Sequence, residues 1–439
     1  MLFSKQKLII ALIGLLVTVL IGALVAFFGS SKKPTTQGST PPAMLQVWGV
    51  FDTSDMIAPL TRAFHERYKH LDASYHLYTI EEYENVLLNA LASGKGPDVY
   101  MVNNTWLPRY IERLKPASPL ALDIKTFRDA FVDIAYEDLV ANQKIYGVPL
   151  HVDTLALFYN KDYLASAGIA LPPSTWEEFL AATKLLTRRD EKGNIQRAGA
   201  ALGTAKNINR SFDILSLLMM QQGAHMVSDD LTRATFDAPL AIGNESFFPG
   251  ERALTFYTDF ANPRKQVYSW NALQDFSLDA FFQGKAAMMV NYSRVIPLIE
   301  SRAPYLKWNI APMPQIASRD TDINFGNYWA LVVSSTSKYP EQSWQFLKFM
   351  TERDNAKRYA DNARRPVARR DLVDVQKADE KLGVFAVQSL TARSWYQADN
   401  RAIEELFADM IESVVKGSDS AKDAIVKAAR QVGVLMRKQ

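Results

Sequence analysis

Residues Tyr146 to Tyr163 read YGVPLHVDTLALFYNKDY, and this stretch admits few folds. Gly147 and Pro149 forbid a helix, and Pro149 drives Val148 toward an extended backbone. Leu155 to Tyr159 is an apolar, aromatic-ended run of strand length. His151 and Asp153 sit between the two halves, flanked by residues that belong in a core. A buried carboxylate must be paired or hydrogen-bonded. Asp153 is therefore either a strand-end residue satisfied by neighbouring backbone, or a group facing a cleft where the chain leaves one packed unit for another.

The 439 residues are 48% hydrophobic and 22% charged, enough for two or three packed units. Lysine and arginine total 50 against 47 acidic residues, a net charge of +3. No basic run is long enough for a nucleic-acid groove. The chain has no cysteine, which excludes disulfides, thiolate nucleophiles and Cys-ligated zinc. Catalytic signatures are missing too. There is no Gly-x-Ser-x-Gly elbow, and His65 and His70 fail the His-Glu-x-x-His spacing. The acidic pairs Glu81-Glu82 and Glu404-Glu405 are sequence neighbours that do not share a helix face. No catalytic residue, metal site or cofactor is expected.

Leu8 to Phe28 holds no charged residue and suffices to cross a hydrocarbon layer of about 30 Å. Residues 1–7 before it would be cytoplasmic, and 8–28 a single-pass anchor with the bulk of the chain on the extracytoplasmic side. A cleaved signal peptide is the alternative. Residues 29–43, rich in Ser, Thr, Pro and Gly, read as a disordered linker.

The folded part opens on a strand ending Trp48-Gly49-Val50-Phe51-Asp52. Thr53 or Ser54 can cap a helix whose apolar face is Ile57, Leu60, Phe64 and Tyr68. Trp48 and Asp52 then stand at the carboxyl end of a strand, where open α/β sheets bind ligands; Trp48 could equally be core. Thr79 and Glu82 have capping-box spacing. In GKGPDVYMVNNTW, Gly94 and Gly96 end that helix, Val99–Val102 forms a strand, and the exit loop offers Asn103, Asn104, Thr105 and Trp106. Asp98 reads as structural. Ser174 or Thr175 caps a helix that turns Trp176 inward. Asp190 to Asn194 reads as a hairpin turn, not a calcium loop, and Met219-Met220 as core. Trp270 precedes a helix and the strand Ala286–Asn291, whose exit carries Asn291, Tyr292, Ser293 and Arg294. Arg294 suits a carboxylate, phosphate or hydroxyl-rich ligand, or a surface ion pair. Trp308–Pro314 and Asn327–Val333 are strands, and Tyr328 and Trp329 alternate faces, so one of them reaches a cleft. NARRPVARR (362–370) is a solvated basic loop, brings Arg365 to a cleft rim, or docks onto a membrane partner. Two amphipathic helices, near 403–415 and 421–436, close the chain.

Taken in order, GxGPDV at residues 94–99, YGVP…D…LFYNKDYL, PSTWEE, FFQGKAAM and IAPMP resemble the family 1 extracellular solute-binding proteins, the maltose-binding-protein-like receptors of ABC importers. The resemblance covers residues 44 to 439. It implies an α/β, two-lobe periplasmic-binding-protein-like fold of type II with a hinge between the lobes, preceded here by a single transmembrane helix. Residues 44–152 with 292–335 would form one lobe, and 153–291 with 336–439 the other. It further implies a carbohydrate ligand between the lobes, handed to permease subunits, without chemistry of the chain's own. Trp48, Asp52, Asn104, Trp106, Asp153, Trp270, Asn291, Tyr292, Arg294, Asn327, Tyr328 and Arg365 are the expected ligand contacts. A peptide, polyamine or phosphate-bearing solute, or a membrane-tethered enzyme or adaptor, remain the alternatives.

Overall fold

The computed structural model describes residues 42–317 and 321–437. The strand Ala43–Val50 alternates buried and partly exposed positions, as a strand with one covered face should. It pairs in parallel with Val99–Asn103, Val47 opposite Val99. The latter strand is buried throughout, which fits its place at the centre of a five-stranded sheet. Trp329–Val333 joins it antiparallel, with Trp329 opposite Asn103. Gly147–Pro149 lies at one edge and Leu71–Tyr78 at the other. Helices cover the sheet as the apolar spacing predicts. In Ser54–Arg67 the residues Ile57, Leu60 and Phe64 are buried, and Ile80–Ala92 begins with the Thr79–Glu82 capping box. Asp98 is structural: Oδ2 accepts from the Gln46 amide at 2.9 Å and Oδ1 from Ser337 Oγ at 2.6 Å.

A second sheet holds Met288–Asn291, Ala156–Asn160 and Trp308–Ala311 in that order, all antiparallel. Its buried side chains form one hydrophobic cluster with the flanking helices, including Phe158, Trp176, Trp270, Trp395 and Phe407. The helices Asn400–Val415 and Ala421–Met436 close this part, as expected. Between the two parts lies a small sheet of Asp153–Thr154, Asn324–Asn327 and Ala392–Arg393. These are the strands on which the chain crosses.

The crossings correct the expected lobe boundaries. Residues 292–335 do not stay together, because Trp308–Ala311 pairs with Ala156–Asn160 in the second sheet. The return to the first lobe comes at Asn324–Asn327 instead. The helices Pro340–Thr351 and Arg353–Ala363, expected in the second lobe, belong with the first. Phe346 and Phe349 lie 5.0 and 5.4 Å from Phe64, ring centre to ring centre, and Glu352 pairs with Arg67 at 2.6 Å. Periodicity marks an element and its covered face, whereas the sheet that receives it depends on pairing between residues far apart in sequence.

The expected anchor Leu8–Phe28 and all but the last two residues of the linker lie outside the described residues. Among the described residues no helix is long and apolar enough to cross a membrane.

Candidate functional site

The carboxyl ends of Ala43–Val50 and Val99–Asn103, and the amino end of antiparallel Trp329–Val333, meet at one end of the first sheet. The register that sets Trp329 against Asn103 also brings Trp329 to the exit loop of that strand. Trp106 and Trp329 pack edge to face, 5.0 Å between ring centres at 68°, and Phe51 reaches Trp329 at 5.7 Å and 74°. Tyr110 stacks under Trp106 at 5.5 Å, and Arg109 lies over it at 5.1 Å. Phe51 is 41% exposed and sits at φ 68°. This left-handed backbone is costly for a bulky residue, and here it aims a phenyl ring outward from a strand end. Trp106 is buried, and its indole Nε1 has no hydrogen-bond partner. Trp48 is half-buried and packs on Tyr78 at 4.8 Å. Tyr78 packs in turn on Tyr83, and Tyr83 on Trp329.

Of the alternating pair, Trp329 is the residue left partly open. Tyr328 is 1% exposed, and its hydroxyl donates to Asp138 Oδ2 at 2.9 Å. Asn104 also points inward, donating from Nδ2 to Asp138 at 2.8 Å and accepting the Tyr328 amide at 3.2 Å. Ser394 donates to the other oxygen of Asp138. Burial pushes the Asp138 carboxyl up to about 7, against the pull of Ser394, Asn104 and Tyr328. Asn104 and Tyr328 thus fasten the loop behind the aromatic edge. Asn327, half-buried, accepts from Asn103 Nδ2 at 3.1 Å.

Beside the aromatic edge, buried Asp52 accepts from Tyr359 Oη at 2.8 Å through Oδ2. Its Oδ1 lies 3.8 Å from Arg365 Nη2, and neither Asp52 Oδ1 nor Arg365 Nε has a hydrogen-bond partner. His151 Nδ1 is 3.3 Å from the same Tyr359 hydroxyl. Burial raises the Asp52 carboxyl, opposed by Arg365 and Tyr359. Burial and the Arg365 charge push His151 down to about 3. Buried polar atoms are rarely left without partners, so a concentration of them at one strand edge marks a place where an outside molecule can complete the bonding.

The hinge-strand carboxylate follows the structural reading. Asp153 Oδ1 accepts the Thr154 and Ser293 amides at 2.9 and 3.1 Å, and Oδ2 accepts Ser293 Oγ at 2.8 Å. It binds the crossing strand to the exit of Met288–Asn291. At that exit, Asn291 is buried and donates to Asn209 Oδ1 at 2.9 Å. Buried Tyr292 donates to Asp213 Oδ2 at 2.9 Å. Arg294 alone of the four exit residues is exposed. Trp270 is a correction: it is fully buried and donates from Nε1 to Asn207 at 3.1 Å, inside the second core. The two lobes also touch beside the aromatic edge, where Asn400 Nδ2 donates to Thr105 Oγ1 at 2.7 Å.

The structure therefore brings Asp52, Trp106 and Arg365 together with Phe51, Trp329 and His151. Sequence reasoning missed Phe51, whose signal is a left-handed backbone that no residue type announces. It also missed Arg210, which bonds into the Tyr292–Asp213 pair. A cavity of about 460 Å³ lies elsewhere, between the helices Ile296–Arg302 and Arg353–Ala363, lined in part by Ile296, Val367 and Leu382. It includes none of the aromatic-edge residues. Among the described residues no cluster of His, Asp or Glu could hold a metal.

The family model for bacterial extracellular solute-binding proteins matches residues 52–357. A galactooligosaccharide-binding protein of Bacillus subtilis is 22% identical over 417 residues, 91% of this chain and 90% of its own. A multiple sugar-binding protein of Streptococcus mutans is 26% identical over 231 residues, 52% of each chain. Among solved structures, the cyclic α-maltosyl-1,6-maltose binding protein of Arthrobacter globiformis superposes with a TM-score of 0.76 at 18% identity, covering 91% of this chain and 100% of its own. The sugar-binding protein of Xanthomonas citri does so at 0.74 and 21%, covering 90% and 98%. Both share this chain's two-lobed α/β fold.

Proposed function

We propose that this chain, which belongs to the bacterial extracellular solute-binding protein family, holds a carbohydrate between its lobes and delivers it to the permease of an ABC importer. The observation that carries this reading is the aromatic edge of Phe51, Trp106 and Trp329 beside the unpartnered atoms of Asp52, Trp106 and Arg365. A pyranose ring offers an apolar face to an aromatic ring and hydroxyls around its rim. Such a ligand fits a site that is mostly apolar with a few directed polar groups. The names of the Bacillus and Streptococcus relatives support a sugar over the alternatives. Ligand gripped by both lobes would favour a closed arrangement about the crossing strands. Leu8–Phe28 would tether the protein at the outer face of the membrane, with residues 29–42 as the leash up to the strand Ala43–Val50.

The test is thermal unfolding of the full-length protein against neutral oligosaccharides of several linkages, peptides and polyamines. A ligand that binds only the folded state stabilises it by about 2.7 kcal/mol at 100 times its dissociation constant. A rise in midpoint with one oligosaccharide series, reduced in Trp329→Ala, is the expected outcome. A rise with peptides or polyamines alone overturns the reading.

A further inference from the structure

We propose that the bound sugar carries a carboxylate, as a uronic-acid unit does, and that Arg294 and Arg210 receive it on the second lobe. This inference rests on the carbohydrate reading above and narrows it to acidic sugars. At the exit of Met288–Asn291 nearly every polar group is engaged inside the protein. Asn291 bonds Asn209, Tyr292 bonds Asp213, and Ser293 bonds Asp153. Arg294 is the exception. It is exposed, with no hydrogen bond or ion pair to any described residue.

Arg210 approaches from the start of the helix Ser211–Gln222, held at φ 66°. Its side chain is only 23% exposed, with one guanidinium nitrogen 3.4 Å from Asp213 Oδ2. The guanidinium lies 5.8 Å from the Tyr292 ring, and its Nε is buried without a partner. Arg294 is exposed as a whole residue, yet its charge is partly desolvated, and that desolvation together with the Arg210 charge lowers the Arg294 pKa. Two guanidiniums acting on each other, one with no hydrogen bond or ion pair among the described residues, are a fork-shaped receptor for a planar anion. A neutral hydroxyl adds nothing to what the neighbouring carboxylates already offset of their repulsion, whereas a ligand carboxylate offsets it further.

The surroundings choose among anions. Asp153 and Asp213 already accept from Ser293 and Tyr292, and both favour the charged form of Arg294. Glu404, on the helix Asn400–Val415, adds a third negative charge that acts on both arginines and on Asp213. With three carboxylates in range, a singly charged carboxylate suits the pair better than a doubly charged phosphate. Glu404 would then compete with the ligand for the same two cations.

Calorimetry on the full-length protein tests this with matched pairs: cellobiose and cellobiouronate, α-1,4-galactobiose and digalacturonate, and glucose with its 6-phosphate and glucuronate. The expected result is that, in at least one pair, the acidic member binds at least tenfold more tightly. That ratio should fall with added salt and collapse toward one in Arg294→Met. Arg294 is exposed and bonds nothing, so this variant should fold. Glu404→Gln should raise the affinity for the acidic member severalfold. Equal or tighter binding of the neutral members overturns the inference and leaves the carbohydrate reading intact. Preference for the 6-phosphate over glucuronate overturns it in favour of a phosphorylated sugar. Binding to no sugar overturns both.

Discussion

Single side chains separate into those that hold the fold and those left open at the site, and the two groups predict different losses. Trp270→Ala removes a fully buried indole and its bond to Asn207. It should cost about 3–5 kcal/mol of stability, read as an earlier denaturation midpoint. Asp153→Ala should likewise act on stability, since it strips partners from the buried amide and hydroxyl of Ser293. Trp329→Ala belongs to the other group. It is half-buried at the start of its strand, so its variant should keep most of its stability and weaken sugar binding by about tenfold or more, a loss of about 1.4 kcal/mol per factor of ten. His151 predicts a pH effect. Its folded pKa is depressed to about 3 from an ordinary 6.5. At acidic pH the unfolded chain takes up a proton that the folded chain refuses. The stability His151 contributes is therefore fully present above pH 6.5 and falls away as pH drops toward 3. Denaturation of parent and His151→Gln across that range should show the parent losing stability relative to the variant, with no such divergence above pH 7.

At the scale of elements, local chemistry was legible and its destination was not. Thr79–Glu82 and Thr175–Glu178 stand at helix starts as capping boxes, because both partners of that motif lie within four residues. Thr175→Ala should cost about 1 kcal/mol, checked by urea denaturation. Gly147 was legible as a helix breaker, but the reason it must be glycine was not. A Cβ there would lie 2.9 Å from Val332 Cγ1 and 3.0 Å from the Leu331 carbonyl, on a strand more than 180 residues later in the chain. Gly147→Ala should therefore destabilise by about 1–3 kcal/mol. The alternation of Tyr328 and Trp329 showed that one of them would face out. Which one depended on Asp138, whose carboxylate draws the Tyr328 hydroxyl inward. Trp270 misled for a related reason, since an indole suits a core as well as a sugar face, and only the nearby Asn207 decides.

For the whole molecule, the order of motifs along the chain carried the two-lobed fold, because each motif keeps its local geometry wherever the sheet partners lie. Lobe membership of Trp308–Ala311 and of Pro340–Ala363 depended on pairings across the molecule, and the sequence alone misplaced both. The three crossing strands and the Asn400–Thr105 contact make ligand-driven closure the expected large motion. Small-angle scattering should show a smaller radius of gyration with saturating ligand.

The central claim, that the aromatic edge of the first lobe grips a carbohydrate, is tested most directly by calorimetric titration of the full-length protein and its Trp106→Ala, Trp329→Ala double variant with an oligosaccharide panel that includes the acidic sugars. The account predicts saturable binding to one oligosaccharide series by the parent. In a double variant that remains folded by circular dichroism, affinity should fall at least tenfold. Unchanged affinity in the folded variant, or no heat from any sugar with the parent, would contradict it.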